Sequence, residues 1–226
     1  MSQSPLRFHL RKNNMARTKK EALAIVFAAA DQYQENLIDH SLLFLCMDKH
    51  KRTYCVEVTF DRSNFQHLTG LETDPAIISP AHFFQLCLDR RLREADFEFA
   101  ENGTADWKLD VLPRMLKNNL SANMIGMYNH SQPLLSTERV TGSVSACMGF
   151  VRNDGVGRYI PNTVLKGDIR SLVHVPDRIL VTYRKSVRDT KYSEIVYATK
   201  KLDWSAVKLP DDYSDLPLPP KAKESE

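Results

Sequence analysis

The sequence predicts an α+β domain, with N-terminal helices packed on one face of a mostly antiparallel β-sheet. Three observations carry this. Apolar residues in the first half recur at the three-to-four spacing of amphipathic helices. From residue 124 onward they gather instead into short runs rich in Val, Ile and Tyr. Five of the eight glycines fall between Gly142 and Gly167, where strands must turn. Helices early and strands late is the order of an α+β fold, whereas α/β folds alternate the two.

Residues 20–39 place Leu23, Val26, Phe27, Ala30, Tyr33 and Leu37 on one helical face. Residues 42–47 and 52–60 are rich in Leu, Val, Phe and Tyr around a short polar linker, and read as a β-hairpin. Ser79-Pro80 supplies an N-cap and a proline at the first helical position, so a second helix is expected over residues 80–93, with Phe83, Phe84, Cys87, Leu88 and Leu92 on its apolar stripe. A third helix is expected over residues 107–121, where Leu109, Leu112, Leu116 and Leu120 hold helical spacing and Pro113 imposes a late start or a kink. Strands are expected at residues 124–128, 143–152, 158–164, 179–185 and 192–199.

Composition bounds the class. In 226 residues of formal charge +3, with 42% apolar and 26% charged side chains, there is neither a polyelectrolyte nor a run of ~18 apolar residues to span a membrane. Cys46, Cys55, Cys87 and Cys147 are widely spaced without a CxxC pair, so they are expected reduced and buried, with no metal and a cytoplasmic location. The small net charge hides a polarity. Residues 1–20 carry six bases and no acid; residues 178–201 carry seven bases against Asp189 and Glu194; residues 202–226 carry six acids, three lysines and four prolines. The expected organisation is a basic arm over residues 1–19, a folded domain over 20–201, and a Pro-rich acidic disordered tail over 202–226.

No GxGxxG, Walker, HExxH, GxSxG or EF-hand pattern is present, which leaves P-loop, zincin and nucleophile-elbow chemistry without support. Scattered residues must carry any chemistry. His67 lies in the run Phe65-Gln-His-Leu-Thr-Gly70, where an imidazole able to act as acid or base stands beside the Thr69 hydroxyl; the structural alternative is a turn, with Gly70 ending a helix. Arg184, Lys185, Arg188 and Lys191, interleaved with Tyr192, offer cations for phosphate and a ring for an unpaired base, or else a solvated hairpin loop. Lys108 follows Asp106-Trp107 at a helix start, and Ser143 lies in a glycine-punctuated run that is either anion-binding or a strand end.

The order of these features resembles the fourth phage-associated family of barnase-EndoU-colicin-RelE-like nuclease domains, over about residues 20–200. The marks are Phe65-x-His67-Leu68-Thr69-Gly70-Leu71, Phe83-Phe84, Asp106-Trp107-Lys108-Leu109, Gly142 to Phe150, Tyr159-x-Pro161, and Lys191-Tyr192-x-Glu194-Ile195. The resemblance implies a metal-independent endoribonuclease, without cofactor, of phage or mobile-element origin and toxin-like, in which a ribose 2′-hydroxyl attacks the adjacent phosphate to leave a cyclic phosphate. It assigns His67 as an acid/base residue, Lys108 and Lys191 to the phosphate charge, and Tyr192 or Thr69 to positioning. Thr69, Arg184, Lys185, Arg188 and Ser143 are the expected RNA contacts. The partners implied are RNA, single-stranded or transfer RNA, and a neutralising protein, with no membrane. Two-histidine members of the wider fold pair imidazoles, whereas His82, His130 and His174 belong to no shared motif here. The alternative is therefore a non-catalytic phage or element protein that binds nucleic acid or a host protein through its basic surface.

Overall fold

The structure, a computed structural model, describes residues 17–131, 135–153, 155, 157–200 and 202–220. Most of the basic arm expected over residues 1–19 thus lies outside the described residues. Helix α1 spans Lys19–Asn36. It starts at a capping box in which the Thr18 hydroxyl accepts from the Glu21 main chain and the Glu21 carboxylate accepts from the Thr18 N–H. Then follow β1 (His40–Met47), β2 (Thr53–Thr59), the short α2 (Asn64–Thr69), β3 (Leu71–Glu72), α3 (Pro80–Leu88), β4 (Glu98–Phe99) and α4 (Ala105–Met115). The second half is strand: β5 (Met124–Met127), β6 (Arg139–Gly142), β7 (Ala146–Asn153), β8 (Arg158–Lys166), β9 (Asp177–Ser186) and β10 (Glu194–Ala198).

The expected α+β arrangement is observed, with a feature periodicity does not reveal: the sheet closes. From β1 the pairing runs through β2, β8, β7, β6, β5 and β9 and returns to β1, with β10 laid along β9. All pairings are antiparallel except β2 with β8, a single parallel pair at Val58 and Tyr159. The expected strand over residues 143–152 is in fact a turn at 143–145 followed by β7, and β6 precedes that turn as a separate strand. Helix α3 ends five residues before the expected boundary, because Arg90 takes a left-handed φ of 59° that an α-helix cannot contain.

Side chains alternate across β1. Leu42, Phe44 and Cys46 enter the main core with the helices, whereas Leu43 and Leu45 enter a second cluster on the opposite face. In the main core the rings of Tyr33, Phe65 and Phe84 meet at 5.1 to 5.5 Å between centroids, and the Tyr33 hydroxyl donates to the Asp61 carbonyl (2.9 Å). This nest seats α2 against α1 and α3.

The second cluster corrects the expectation of a disordered tail over residues 202–220; residues 221–226 of that expected tail lie outside the described residues. Residues 202–220 lie over that face as a strap: Trp204 and Leu216 are buried with Leu43, Leu45, Val181, Tyr183 and Tyr192, and the Tyr183 hydroxyl donates to the Pro217 carbonyl (2.9 Å). The Thr53 hydroxyl also donates to the Lys208 carbonyl. Mean composition concealed this, because a few well-spaced apolar side chains suffice to dock a segment whose other residues are charged or proline.

All four cysteines are free, with Cys46, Cys87 and Cys147 buried. Burial pushes the Cys87 and Cys147 thiols up to about 12, and raises the phenols of Tyr33 and Tyr183 above their ordinary range. The folded state therefore keeps protons that the unfolded chain releases near ~8.5 for Cys and ~10 for Tyr. The stabilisation is fully present below those values and is lost as pH rises through them, at about 1.4 kcal/mol per pH unit for each group titrating only in the unfolded chain. Urea midpoints are expected to fall progressively above about pH 8.5, less steeply in Cys147→Ala.

Candidate active site

The His67 run folds as the short helix α2. Phe65 and Leu68 face the aromatic nest, and His67 points outward and is exposed. The Thr69 hydroxyl donates to the Gln66 carbonyl (2.8 Å), accepts from the Leu71 N–H (3.0 Å), and is fully buried. Thr69 thus terminates a helix and is not placed to touch RNA. Gly70 is left-handed at φ 73°, and a Cβ there would stand 2.8 Å from the Ala105 Cα. This close approach brings the first turn of α4 to the end of α2, where the Lys108 ammonium donates to the His67 carbonyl (2.8 Å). Burial lowers the Lys108 pKa from the ordinary lysine value, with the Glu72 carboxylate partly opposing. Trp107 beside it is half-exposed.

Lys191 and Tyr192 lie elsewhere, at the β9–β10 connection beside the strap. Tyr192 is buried in the second cluster; its hydroxyl donates to Glu57 Oε1 (2.7 Å), and burial followed by Glu57 raises its pKa well above the phenol range. The Lys185 ammonium lies 4.7 Å from the Tyr192 ring centroid. Lys191 pairs with Asp215 of the strap at 3.0 Å. Arg184 makes a bidentate pair with Glu194, its register neighbour on β10, at 2.7 and 2.8 Å. Arg188 is exposed in the turn. Two cations of the basic stripe, Arg184 and Lys191, are thus matched by acids of the same chain, which reading one strand at a time does not reveal. Ser143, 9% exposed, lies in the β6–β7 turn with its hydroxyl 3.3 Å from that of Ser145. The four expected catalytic residues divide into a His67–Lys108 pair on the helical side and a Lys191–Tyr192 pair on the strap side.

A third location gathers groups that no local pattern flagged. The β1–β2 turn, the start of β9 and the end of β5 border an open cavity of about 340 Å³, lined by Asp48, Lys49, His50, Arg52, Met127, Arg139, His174, Val175 and Asp177. The turn is built by Asp48, whose Oδ1 accepts from the main-chain N–H groups of His50 (2.8 Å) and Arg52 (2.9 Å) and whose Oδ2 takes the Arg52 guanidinium (2.7 Å). Opposite, Gly126 lets the segment after Val173 press against β5: a Cβ would meet the Val173 Cβ at 2.8 Å and the Val175 carbonyl at 3.0 Å. The His174 N–H donates to the Met127 carbonyl (3.2 Å) and so hangs its side chain at the rim.

Arg139 reaches the cavity from β6. Its guanidinium lies between the rings of Tyr54 (6.0 Å) and Tyr159 (5.3 Å), its Nε is buried without a hydrogen-bond partner, and it forms no ion pair among the described residues. Asp177, which lines the same space, accepts the Tyr54 hydroxyl on Oδ2 at 2.6 Å. Burial, reinforced by Cys46 and by that bond, keeps the Tyr54 phenol protonated above its ordinary range. Two imidazoles and a guanidinium that forms no ion pair among the described residues face one open space, which the carboxylates of Asp48 and Asp177 also line. That set can move two protons and hold an anion. The sequence holds one hint, the Asp48-Lys-His50-Lys-Arg52 turn; His174 and Arg139 stand in no local motif, because sheet closure alone unites the three. Among the described residues, no group of three or more His, Cys, Asp or Glu side chains comes together as a metal-binding set. Nor is any described helix long and apolar enough to cross a membrane.

Residues 25–201 match the family model described as phage-Barnase-EndoU-ColicinE5/D-RelE like nuclease 4. No curated protein and no solved structure matches the chain.

Proposed function

From the premise that this chain belongs to the phage-Barnase-EndoU-ColicinE5/D-RelE like nuclease 4 family, we propose that it cleaves RNA without a metal, at the cavity shared by His50, His174 and Arg139. One imidazole takes the proton of a ribose 2′-hydroxyl, and the 2′-oxygen forms a bond to the adjacent phosphorus. The bond from phosphorus to the 5′-oxygen breaks, and the other imidazole protonates that leaving oxygen. The products end in a 2′,3′-cyclic phosphate and a 5′-hydroxyl. Arg139 stabilises the charge that grows on the non-bridging oxygens of the phosphorane, for which a planar fork held between two rings is preorganised.

The observation carrying this reading is that both imidazoles and a guanidinium without an ion pair among the described residues line one cavity. Each acid or base is worth about 10²–10⁴-fold in rate. His50→Ala and His174→Ala are therefore each expected to slow cleavage of transfer RNA or total RNA in EDTA at least a hundredfold, as followed on denaturing gels. RNA left intact by the wild type across substrates and pH would remove the proposal. RNA bound but never cut would favour a binding protein.

A second reading is kept alive by one contact, the Lys108 ammonium on the His67 carbonyl with its pKa lowered by burial. There His67 is the proton carrier and Lys108 the cation. The two readings separate cleanly, because His67→Ala abolishes cleavage in this one and spares it in the other.

A further inference from the structure

Exposed large apolar side chains are few in this fold, and two of them, Met127 (47% exposed) and Val175 (46%), stand on the same cavity wall. They come from different segments, and their meeting is built. The absence of a side chain at Gly126 allows residues 173–175 to close on β5, Tyr128 bridges to Val173, and the His174 N–H is tied to the Met127 carbonyl. Their neighbours on the wall are Arg139, His174 and His50. Apolar surface held open to water beside groups suited to a phosphate fits a ligand with a flat, weakly polar face attached to an anion. An unpaired nucleotide is such a ligand. The volume, about 340 Å³, lies at the small end of the ~300–1,000 Å³ range of ligand sites and suits one nucleotide rather than a duplex.

Resting on the reading of the cavity as the cleavage site, we propose that Met127 and Val175 form a platform for the base next to the scissile phosphate. This platform makes the enzyme selective for unpaired RNA and tolerant of base identity. Neither side chain carries a donor or acceptor suited to reading a base edge, so the contact takes any base by its face. In a stem both faces are already stacked, and the platform has nothing to hold.

Two measurements on the full chain test this. The first is the affinity of mixed-sequence single-stranded 2′-O-methyl RNA, which cannot be cleaved, measured by fluorescence anisotropy for wild type, Met127→Ser/Val175→Ser and Met127→Leu/Val175→Ile. Loss of two apolar contacts is expected to weaken binding about tenfold in the serine pair, equivalent to ~1.4 kcal/mol, and the apolar pair should retain wild-type affinity. The second is cleavage of a hairpin RNA, with cuts expected in the loop and not the stem, and with KM raised and kcat little changed in the serine pair. Equal affinity of the serine pair and the wild type, equal cutting of stem and loop, or absence of oligonucleotide binding by the wild type would overturn the platform. If the oligonucleotide binds as expected but no RNA is ever cut, Met127 and Val175 stand as a contact for an unpaired base and the cleavage reading fails.

Discussion

Arg139→Ala is expected to lower kcat for RNA cleavage by about 10²–10³-fold, the cost of deleting one preorganised charge-stabilising donor, while the protein stays folded. The large kinetic effect follows from the position of the guanidinium. Among the described residues it forms no ion pair, and its Nε is buried without an acceptor, so the terminal nitrogens of the fork are the donors left to meet a substrate. The small structural effect follows from the same facts. Removing Arg139 breaks no ion pair among the described residues and forfeits two contacts over the Tyr54 and Tyr159 rings, each worth about 0.5–1 kcal/mol. Arg139→Lys restores charge but not the planar fork, and should recover only part of the loss. Steady-state kinetics on one RNA, with thermal melting of each variant, checks both halves.

The largest expected effect on stability is in the strap. Trp204→Ala should cost about 3–5 kcal/mol, a large share of the ~5–15 kcal/mol of a typical domain. Trp204 is 8% exposed, and the strap covers Leu43, Leu45, Val181 and Tyr183, side chains that alternation sends to the face the helices do not cover. Without an anchor at its first turn, that apolar face opens to water. Asp211→Asn, an exposed change in the same segment, should stay within about 0.5 kcal/mol of wild type. Urea denaturation of the two variants makes the comparison. Near-equal midpoints would mean that the strap is not part of the folded unit.

Legibility from sequence tracked how local the deciding interaction is. Helices α1 and α3 were readable because three-to-four spacing and the cap at Ser79-Pro80 act within a few residues. Helix α2 is only six residues long, too short for a period, although Gly70 signalled its end. Strand β6 has only four residues, too few to show a period, so residues 139–142 were not expected as a strand, and the strand expected at 143–152 began in the turn that precedes β7. The strap was missed because average composition measures net charge and proline, whereas docking depends on Trp204, Tyr213, Leu216 and Leu218 being suitably placed.

The same distinction applies to the candidate site. His67 and Lys108 are 41 positions apart and do meet, because Gly70 admits the close approach of α4. Lys191 and Tyr192 do not join them. They follow β9, whose neighbouring strand β1 divides its side chains between the two faces. His50, Arg139 and His174 converge through sheet closure, the pairing of β9 with both β1 and β5 and of β5 with β6, which is a property of the whole ring. No window of residues contains that information.

The most direct test of the cavity as the catalytic centre is end-group analysis of an RNA cut in EDTA by wild type, Arg139→Ala, His174→Ala and His67→Ala. The expected result is fragments ending in 2′,3′-cyclic phosphate and 5′-hydroxyl, made by wild type and His67→Ala, nearly absent with the other two, and prevented by a 2′-O-methyl group at the cleaved nucleotide. Fragments ending in 3′-hydroxyl, or wild-type rates from Arg139→Ala and His174→Ala, would contradict it.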